Sequence, residues 1–540
     1  MSLGEVEIQV LDPLSTAWLD CSDLGNAQRL IKIAGGRLRW VEDLESWAHY
    51  DGRRWSIERG DIEAQLIAHK VVGHIRDEVK ALALIAEDEA ELLRAFGKWC
   101  NPDRAQKRVT DLQTHAVRSG SAGMTSGMLK QARSLLPALL SDFDTDPLTL
   151  NCLNRTLRFV RNDDGSWRVE DRPHDPADML MSIANVEFNP KAQASFWIER
   201  LSMLTPDPEQ LDAFEPLYGS MLTGLTSDQS FYVHQGKGGD GKSATHMALA
   251  DLMGDYYRHA GSRTFLQGAD RGGAEHRSDL VRLAGDVRFV TCDEPKARSV
   301  WDGEVMKQVT GSLITARGSG AKTEITYKPR FKLHVECNNI PRAPSDDKGF
   351  RRRFKLFQWK VSLADTPEGE EPIEIILERI VAEKSGVLNW LIAGALRWLE
   401  TRKIPQPAAM AGVLKDFWAD SSPLLEWMSE WCDTSDPNAR EAAKTLYDHF
   451  KEWCGSAGIE HVMTPTAFGR AMRDKQHAVT KDTHGNRWRL GIRLRDQGVF
   501  TDPSDLPSAA PVVSSPRSGA GDQPSGARKT DSGDDELVRP

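Results

Sequence analysis

Residues Gly236 to Ser243 read Gly-Lys-Gly-Gly-Asp-Gly-Lys-Ser, the spacing of a phosphate-binding loop. Its chemistry needs those residue types. Gly236, Gly238, Gly239 and Gly241 let successive backbone N–H groups turn inward onto phosphate oxygens, and a helix opening at Lys242 to Ala244 adds its positive end. Lys237 and Asp240 complete the stretch that would line the phosphates. Lys242 would reach the β- and γ-phosphates as a point charge, while the Ser243 hydroxyl would ligate a bridging Mg²⁺. Apolar Phe231, Tyr232 and Val233 come before, and a helix-compatible run from Ala244 to Met253 follows. That strand–loop–helix context weighs against a chance glycine-rich turn. A nucleoside triphosphate is the expected ligand, with Mg²⁺.

Four further features follow the loop. The apolar run Arg288 to Cys292 delivers Asp293 and Glu294 at its end, one carboxylate suited to Mg²⁺ (Asp293) and one to polarise an attacking water (Glu294). An acidic strand cap is the plainer alternative. Phe331 to Cys337 exits into Asn338-Asn339-Ile340-Pro341; an amide at Asn338 can hold a water or sense a γ-phosphate, although such an exit is also common in strands without function. Arg351-Arg352-Arg353 precedes the apolar run Phe354 to Trp359. These three guanidiniums suit a finger reaching a neighbour's nucleotide, because arginine meets transition-state charge bidentately; a solvated basic face is the rival. Between the acids and the asparagine, β-compatible arms flank Gly318-Ser319-Gly320-Ala321-Lys322. A hairpin with Lys322 near its tip can grip a phosphate backbone, and an ordinary surface hairpin is equally open.

The elements that must position these groups are legible as patterns. From about Ser230 to Lys360, helix signals alternate with apolar strands, which predicts an α/β core with a mainly parallel sheet. Upstream, Ile62 to Phe96 has helical spacing, Leu157 to Val169 reads as a hairpin around Asn162 to Gly165, and Asp142 to Pro147 is expected to separate two parts. Trp40, Trp47 and Trp55 predict a small aromatic core, with a base-stacking platform as the less favoured reading. Downstream, Pro372 to Glu400 is expected to be helical. Beyond Pro405 and Pro407, apolar Leu446, Phe450 and Trp453, a short helix from Thr466 to Asp474 and an alternating stretch from Ala478 to Leu494 give helix, helix, β-ribbon, a winged-helix pattern. The expected domains are 1–205, 206–365, 366–404, 405–498 and a disordered tail at 499–540, whose Ser, Pro, Gly and Asp leave too little apolar surface to fold.

A net charge of −10 argues against a surface coated for nucleic acid. Locally the sign reverses. From Arg470 to Arg495, eight basic side chains, Arg470, Arg473, Arg487 and Arg489 among them, face only Asp474 and Asp482, so this segment can meet phosphate. Seven cysteines without a C-x-x-C pair signal neither a zinc ribbon nor a disulfide framework. The most apolar stretch, Gly386 to Leu399, is broken by Asn389 and Arg397 and is too short to cross a bilayer. With Glu5, Glu7 and Asp12 in place of a basic leader, the expected location is the cytoplasm, of a bacterial host, with no membrane role.

Together these residues resemble the superfamily 3 helicases, in particular the phage and plasmid primase-helicase family with its poxvirus-type relatives. Gly219 to Gly224, Gly254-Asp255-Tyr256-Tyr257, Lys307-Gln308-Val309-Thr310-Gly311, Thr315-Ala316-Arg317, Asn338 to Pro341 and Arg352-Arg353 look like family blocks; Gly25-Asn26-Ala27, Tyr50-Asp51-Gly52 and Trp55 look like the associated N-terminal domain. The resemblance implies an AAA+-like P-loop ATPase core between a mixed α+β N-terminal domain and a C-terminal winged helix. It implies a ring, usually a hexamer, with ATP between subunits, Arg352 or Arg353 as the finger acting in trans, and single-stranded DNA through the centre, moving 3′ to 5′. Single-stranded and forked DNA, and a separate primase or other replication proteins, are the expected partners, and a phage, prophage or plasmid the expected setting.

Three departures stand out. The family commonly has Asn where this chain has Asp240, which either turns outward or weakens ATP binding. Ser312 and Leu313 replace a Gly-Asp continuation after Gly311. No spaced Cys/His ligands or partner acid motif accompany Leu139 to Asp144, so primer synthesis is not expected. Two rivals remain open: an initiator in which nucleotide drives assembly without unwinding, and a P-loop ATPase that moves duplex DNA.

Overall fold

The structure, a computed structural model, describes residues 11–495 apart from 268–276, 297–298, 312, 319–323, 344–346, 364–365, 367–370, 421–422, 458–461 and 483–484. It divides into two compact units, Met1–Leu425 and Glu426–Pro540.

The first unit opens with α1 (Asp23–Ala34), started by Ser22, whose hydroxyl accepts from Gly25 N, and ended by Gly35 in the left-handed region. Strands β1 (Leu38–Val41), β2 (Ser46–Tyr50) and β3 (Trp55–Ser56) are followed by helices α2 (Gly60–Ile85), α3 (Glu89–Phe96), α4 (Pro102–Ser119) and α5 (Ala122–Arg133), and then by β4 (Pro137–Ala138), which pairs parallel to β1. The tryptophans expected as one small core divide between two: Trp40 meets Trp47 edge-on at 5.4 Å in the helical core, whereas Trp55 is buried against Phe143 in a second cluster. Arg29 is fully buried, and its fork grips both oxygens of Glu78 at 2.8 and 2.9 Å, which satisfies a charge that would otherwise be costly to bury. The stretch Asp142 to Pro147 lies between the helices and the strands that follow, as expected, but it is packed and not loose. Phe143 is buried in the aromatic core, and the Asp144 carboxylate accepts from Met181 N at 2.9 Å, so the chain is tied down there by packing and hydrogen bonds.

A three-stranded meander follows: β5 (Thr149–Asn151), β6 (Thr156–Arg161) and β7 (Trp167–Arg172). The β6–β7 turn uses Gly165 at φ 89°, a conformation that favours glycine. Helices α6 (Ser195–Leu204) and α7 (Pro208–Gly219) lead into the central sheet.

That sheet contains β8 (Phe231–Gly236), β9 (Tyr257–Ala260), β10 (Phe289–Cys292), β13 (Lys332–Cys337) and β14 (Phe354–Trp359), in the spatial order β14-β8-β13-β10-β9 and all parallel. Between them lie α8 (Lys242–Met253), α9 (Ser278–Val281), α10 (Gly303–Val309), the antiparallel pair β11 (Ile314–Ala316) and β12 (Ile325–Tyr327), and α11 (Lys348–Arg353). Burial on both faces explains the near-continuous apolar runs. Alternate residues serve opposite layers: Tyr232, Phe289, Phe357 and Trp359 enter one core, whereas Phe231, Val233, Val290, Leu333 and Leu356 enter the other.

Helices α12 (Ile373–Ala382) and α13 (Lys384–Thr401) fulfil the helical reading of Pro372 to Glu400. Helix α14 (Ala409–Asp420) lays Phe417 against Phe354 at 5.2 Å and buries Met410 in the sheet's core, so the first compact unit runs past 404 to Leu425.

The second unit begins within α15 (Pro423–Trp431) and contains β15 (Cys432–Asp433), β16 (Arg440–Ala442), α16 (Ala443–Ser456), α17 (Pro465–Asp474), β17 (Val479–Lys481), β18 (Arg487–Leu490) and β19 (Arg493–Leu494). The helix, helix, ribbon order is present, and β16 adds a third strand to the ribbon in the order β16-β18-β17. Trp427, Phe450 and Phe468 form its centre. All seven cysteines are free thiols, and among the described residues no helix is long and apolar enough to cross a membrane.

Candidate active site

The glycine-rich loop leaves the carboxyl end of β8, where an open parallel sheet presents its crevice. Gly238, Gly239 and Gly241 stand at φ 91°, 63° and 76°, which L side chains rarely adopt, so the loop's shape depends on glycine there. The loop borders a cleft of about 590 Å³ lined by Gly238, Lys242, Ser243, Asp293, Glu294 and Asn338. Separate chain segments thus meet at one sheet edge.

Asp240 turns inward, which settles its orientation. Its carboxylate lies 2.9 Å from Lys242 Nζ and accepts from Gly238 N and Lys242 N, each at 3.3 Å. Both side chains are buried, at 3% and 6% exposure. The two carboxylate oxygens stand where phosphate oxygens would find the same lysine and the same backbone donors. Lys237 and Ser243 are exposed and Ala244 is buried.

The two acids after β10 diverge. Asp293 pairs with His259 Nε2 at 2.7 Å, whereas Glu294 accepts from Asn338 N at 2.8 Å and stands 3.4 Å from its Nδ2. Glu294 and Asn338 therefore form one polar unit spanning the ends of β10 and β13. The acid that meets Ser243 is a different one: Ser243 Oγ donates to Glu336 Oε2 at 2.5 Å, and His246 Nδ1 lies 2.8 Å from Oε1. Those two partners, with Lys242 nearby, outweigh burial and hold the Glu336 carboxyl at about 2. Reading along the chain missed Glu336 and His246. The signal was present, since His334 and Glu336 interrupt an apolar strand at alternate positions, which a strand assigns to one face.

The two candidate finger arginines separate clearly. Arg353 is 8% exposed and spends its donors at home, on Thr310 Oγ1 at 3.1 Å and Gly349 O at 2.8 Å. It is a packing residue here. Arg352 is exposed, with one bond of 2.7 Å to Gln229 Oε1, and keeps the reach a finger needs. Lys322 lies outside the described residues; the β11–β12 arms that flank it pair as expected.

In the second unit Arg470, Arg473 and Arg487 are exposed. Arg489 is not. It is 5% exposed and donates to His477 O at 2.9 Å and Gly469 O at 2.7 Å, tying β18 to α17, so the expectation that it meets DNA is corrected: packing against α17 covers its guanidinium and spends its donors on backbone carbonyls.

A loop with left-handed glycines, a lysine and an exposed serine fits a nucleotide's phosphates, and the nearby carboxylates fit Mg²⁺. Residues 27–206 match the family described as D5 N terminal like. A helicase candidate of Acanthamoeba polyphaga mimivirus, L207/L206, is 34% identical over 157 residues, 29% of this chain and 16% of the relative. Another, 022R of Frog virus 3 (isolate Goorha), is 22% identical over 275 residues, 48% of this chain and 28% of the relative. The aligned regions thus span less than a third of those relatives. Among solved structures, the A form apo structure of the NrS-1 C terminal region is similar at TM-score 0.34 and 11% identity, over 63% of this chain and 95% of that one. Residues 27–206 thus resemble the D5 N terminal like family, and parts of the chain are similar to two viral helicase candidates.

Proposed function

We propose that the chain is an ATP-dependent DNA helicase of the superfamily 3 type, acting in replication of a phage, prophage or plasmid as a ring of like subunits that draws in single-stranded DNA. The observation that carries this reading is the convergence of Lys242, Ser243, Glu294 and Asn338 on one cleft at the carboxyl edge of a parallel sheet. Lys242 would exchange Asp240 for the β- and γ-phosphates, and Ser243 with Asp293 would hold Mg²⁺. Held there, Mg²⁺ would supply neutralisation of the negative charge on the β- and γ-phosphate oxygens. Glu294 would take a proton from the attacking water, with the Asn338 amide orienting that water. Arg352 would reach the nucleotide of a neighbouring subunit, Lys322 would contact the DNA backbone, and the second unit would act as the winged helix on forked or duplex DNA, beside a separate primase.

Phosphate release measured with single-stranded, duplex and forked DNA, beside a mass measurement of the assembly with ATP, tests this. Lys242→Ala should lower turnover roughly 10²- to 10³-fold, the scale expected when a transition-state charge partner is removed, and abolish unwinding. Strand separation by that variant would defeat the proposal. The Asp240–Lys242 contact favours one other reading, an initiator whose nucleotide drives assembly alone. ATP would then promote oligomers and DNA binding while phosphate release stayed at background.

A further inference from the structure

Behind the nucleotide cleft a polar chain runs through the core. Tyr218 Oη lies 3.0 Å from His246 Nε2, His246 Nδ1 2.8 Å from Glu336 Oε1, and Ser243 Oγ 2.5 Å from Glu336 Oε2. Chemistry fixes its direction. A carboxylate only accepts, so His246 Nδ1 and Ser243 Oγ are the donors. The serine proton is therefore committed to Glu336, which leaves the hydroxyl's lone pairs for the cleft that Asp293 and Glu294 line.

The same cluster contains His234 and His334, whose ring nitrogens with those of His246 lie within 4.8 Å of one another. Three histidines so close suggest a cation cage, but the hydrogen bonds argue otherwise. The Trp359 indole can only donate, and it meets His234 Nδ1 at 3.1 Å. The proton of neutral His234 is then on Nε2 and points at His334 Nδ1, 3.0 Å away. His234 has no lone pair left for a metal. Burial holds both rings well below the ordinary histidine range, and His234 stands edge-on to His246 at 4.5 Å. These rings are the wall that fixes His246, and His246 in turn fixes Glu336.

We propose that Glu336 is a positioning residue for the Mg²⁺–nucleotide complex: through Ser243, and braced by His246, it orients the hydroxyl that ligates the cation. Asp293 is turned to His259 instead. The inference rests on the reading of this loop as a nucleotide site, so its test separates the two. The measurement is the gain in affinity that Mg²⁺ confers on a fluorescent ADP analogue, with Mn²⁺ binding to the protein–ADP complex followed by electron paramagnetic resonance, on the full chain. Glu336→Gln keeps the size but can turn an amide N–H toward Ser243, and His246→Asn removes the brace. Both should raise the Mg²⁺ concentration for half-maximal nucleotide retention about tenfold or more and weaken Mn²⁺ binding in parallel, while binding without metal stays within twofold. Unchanged metal dependence in Glu336→Gln, with nucleotide still bound, overturns the positioning role alone. Loss of metal-free binding in proportion to a fall in thermal stability also overturns it, in favour of a packing role. No nucleotide binding by the unaltered protein sinks both the inference and the reading beneath it.

Discussion

Asp240 and Lys332 show how single side chains set the conditions under which this molecule works. Asp240 occupies the loop's own donors, so nucleotide must displace a carboxylate already bonded to Lys242. Asp240→Asn should remove that competition and raise ATP affinity roughly tenfold, the worth of ~1.4 kcal/mol, measured by equilibrium titration; weaker binding would show that the carboxylate holds the loop in shape. Lys332, within β13, is buried between the carbonyls of Thr223 and Leu225. Burial pushes its ammonium down from 10.5 to about 7. Between those values the unfolded chain binds more protons than the folded one, so this group's contribution to stability is fully present above 10.5 and is lost as pH falls through 7. Lys332→Met should therefore be more stable than the parent near neutral pH, with the gap narrowing toward about pH 10, as read from denaturant midpoints across that range.

At the level of elements, two glycines decide how closely α7 and α13 approach. A Cβ on Gly394 would stand 1.9 Å from Glu215 O, and one on Gly219 would stand 2.3 Å from Ala395 N. Backbone atoms cannot step aside, so Gly394→Ala should cost roughly 3 kcal/mol, the upper part of the overpacking range, seen as a lower denaturation midpoint with an unchanged slope. The strands, helices and hairpins around these helices were legible because periodicity and turn residues report local geometry. Phe354 to Trp359 begins and ends where its apolar run does. The stretch from Asp142 to Pro147 was legible as a junction but its packing was not, since Asp and Pro mark a turn whether or not the neighbouring Phe143 is buried. Arg489 misled for a related reason: a count of positive charge along β18 ignores that a neighbouring helix covers one of those arginines and takes up its donors.

Across the molecule, charge is unevenly placed. The chain carries −10 overall, yet Arg470, Arg473 and Arg487 leave an exposed basic face on the second unit. If that face binds DNA, replacing any one of them with Ala should lower the slope of log affinity against log salt by about 1, because one fewer DNA phosphate is neutralised; fluorescence anisotropy measures this. Arg489→Ala should instead unfold the unit in which its two carbonyl bonds lie.

The nucleotide loop, its strand and helix, the acids after β10 and the asparagine after β13 were readable from one-dimensional spacing. Backbone chemistry at a phosphate site demands particular residues a few positions apart, and spacing of that kind survives in the linear chain. Which carboxylate meets Ser243, where Asp240 turns, and which arginine remains free were not readable. Each depends on how the chain closes on itself in space: Ser243 and Glu336, like Arg353 and Thr310, are partners far apart in sequence. Only the parallel sheet, by setting β8 beside β13 and β14, brings such groups within hydrogen-bonding distance.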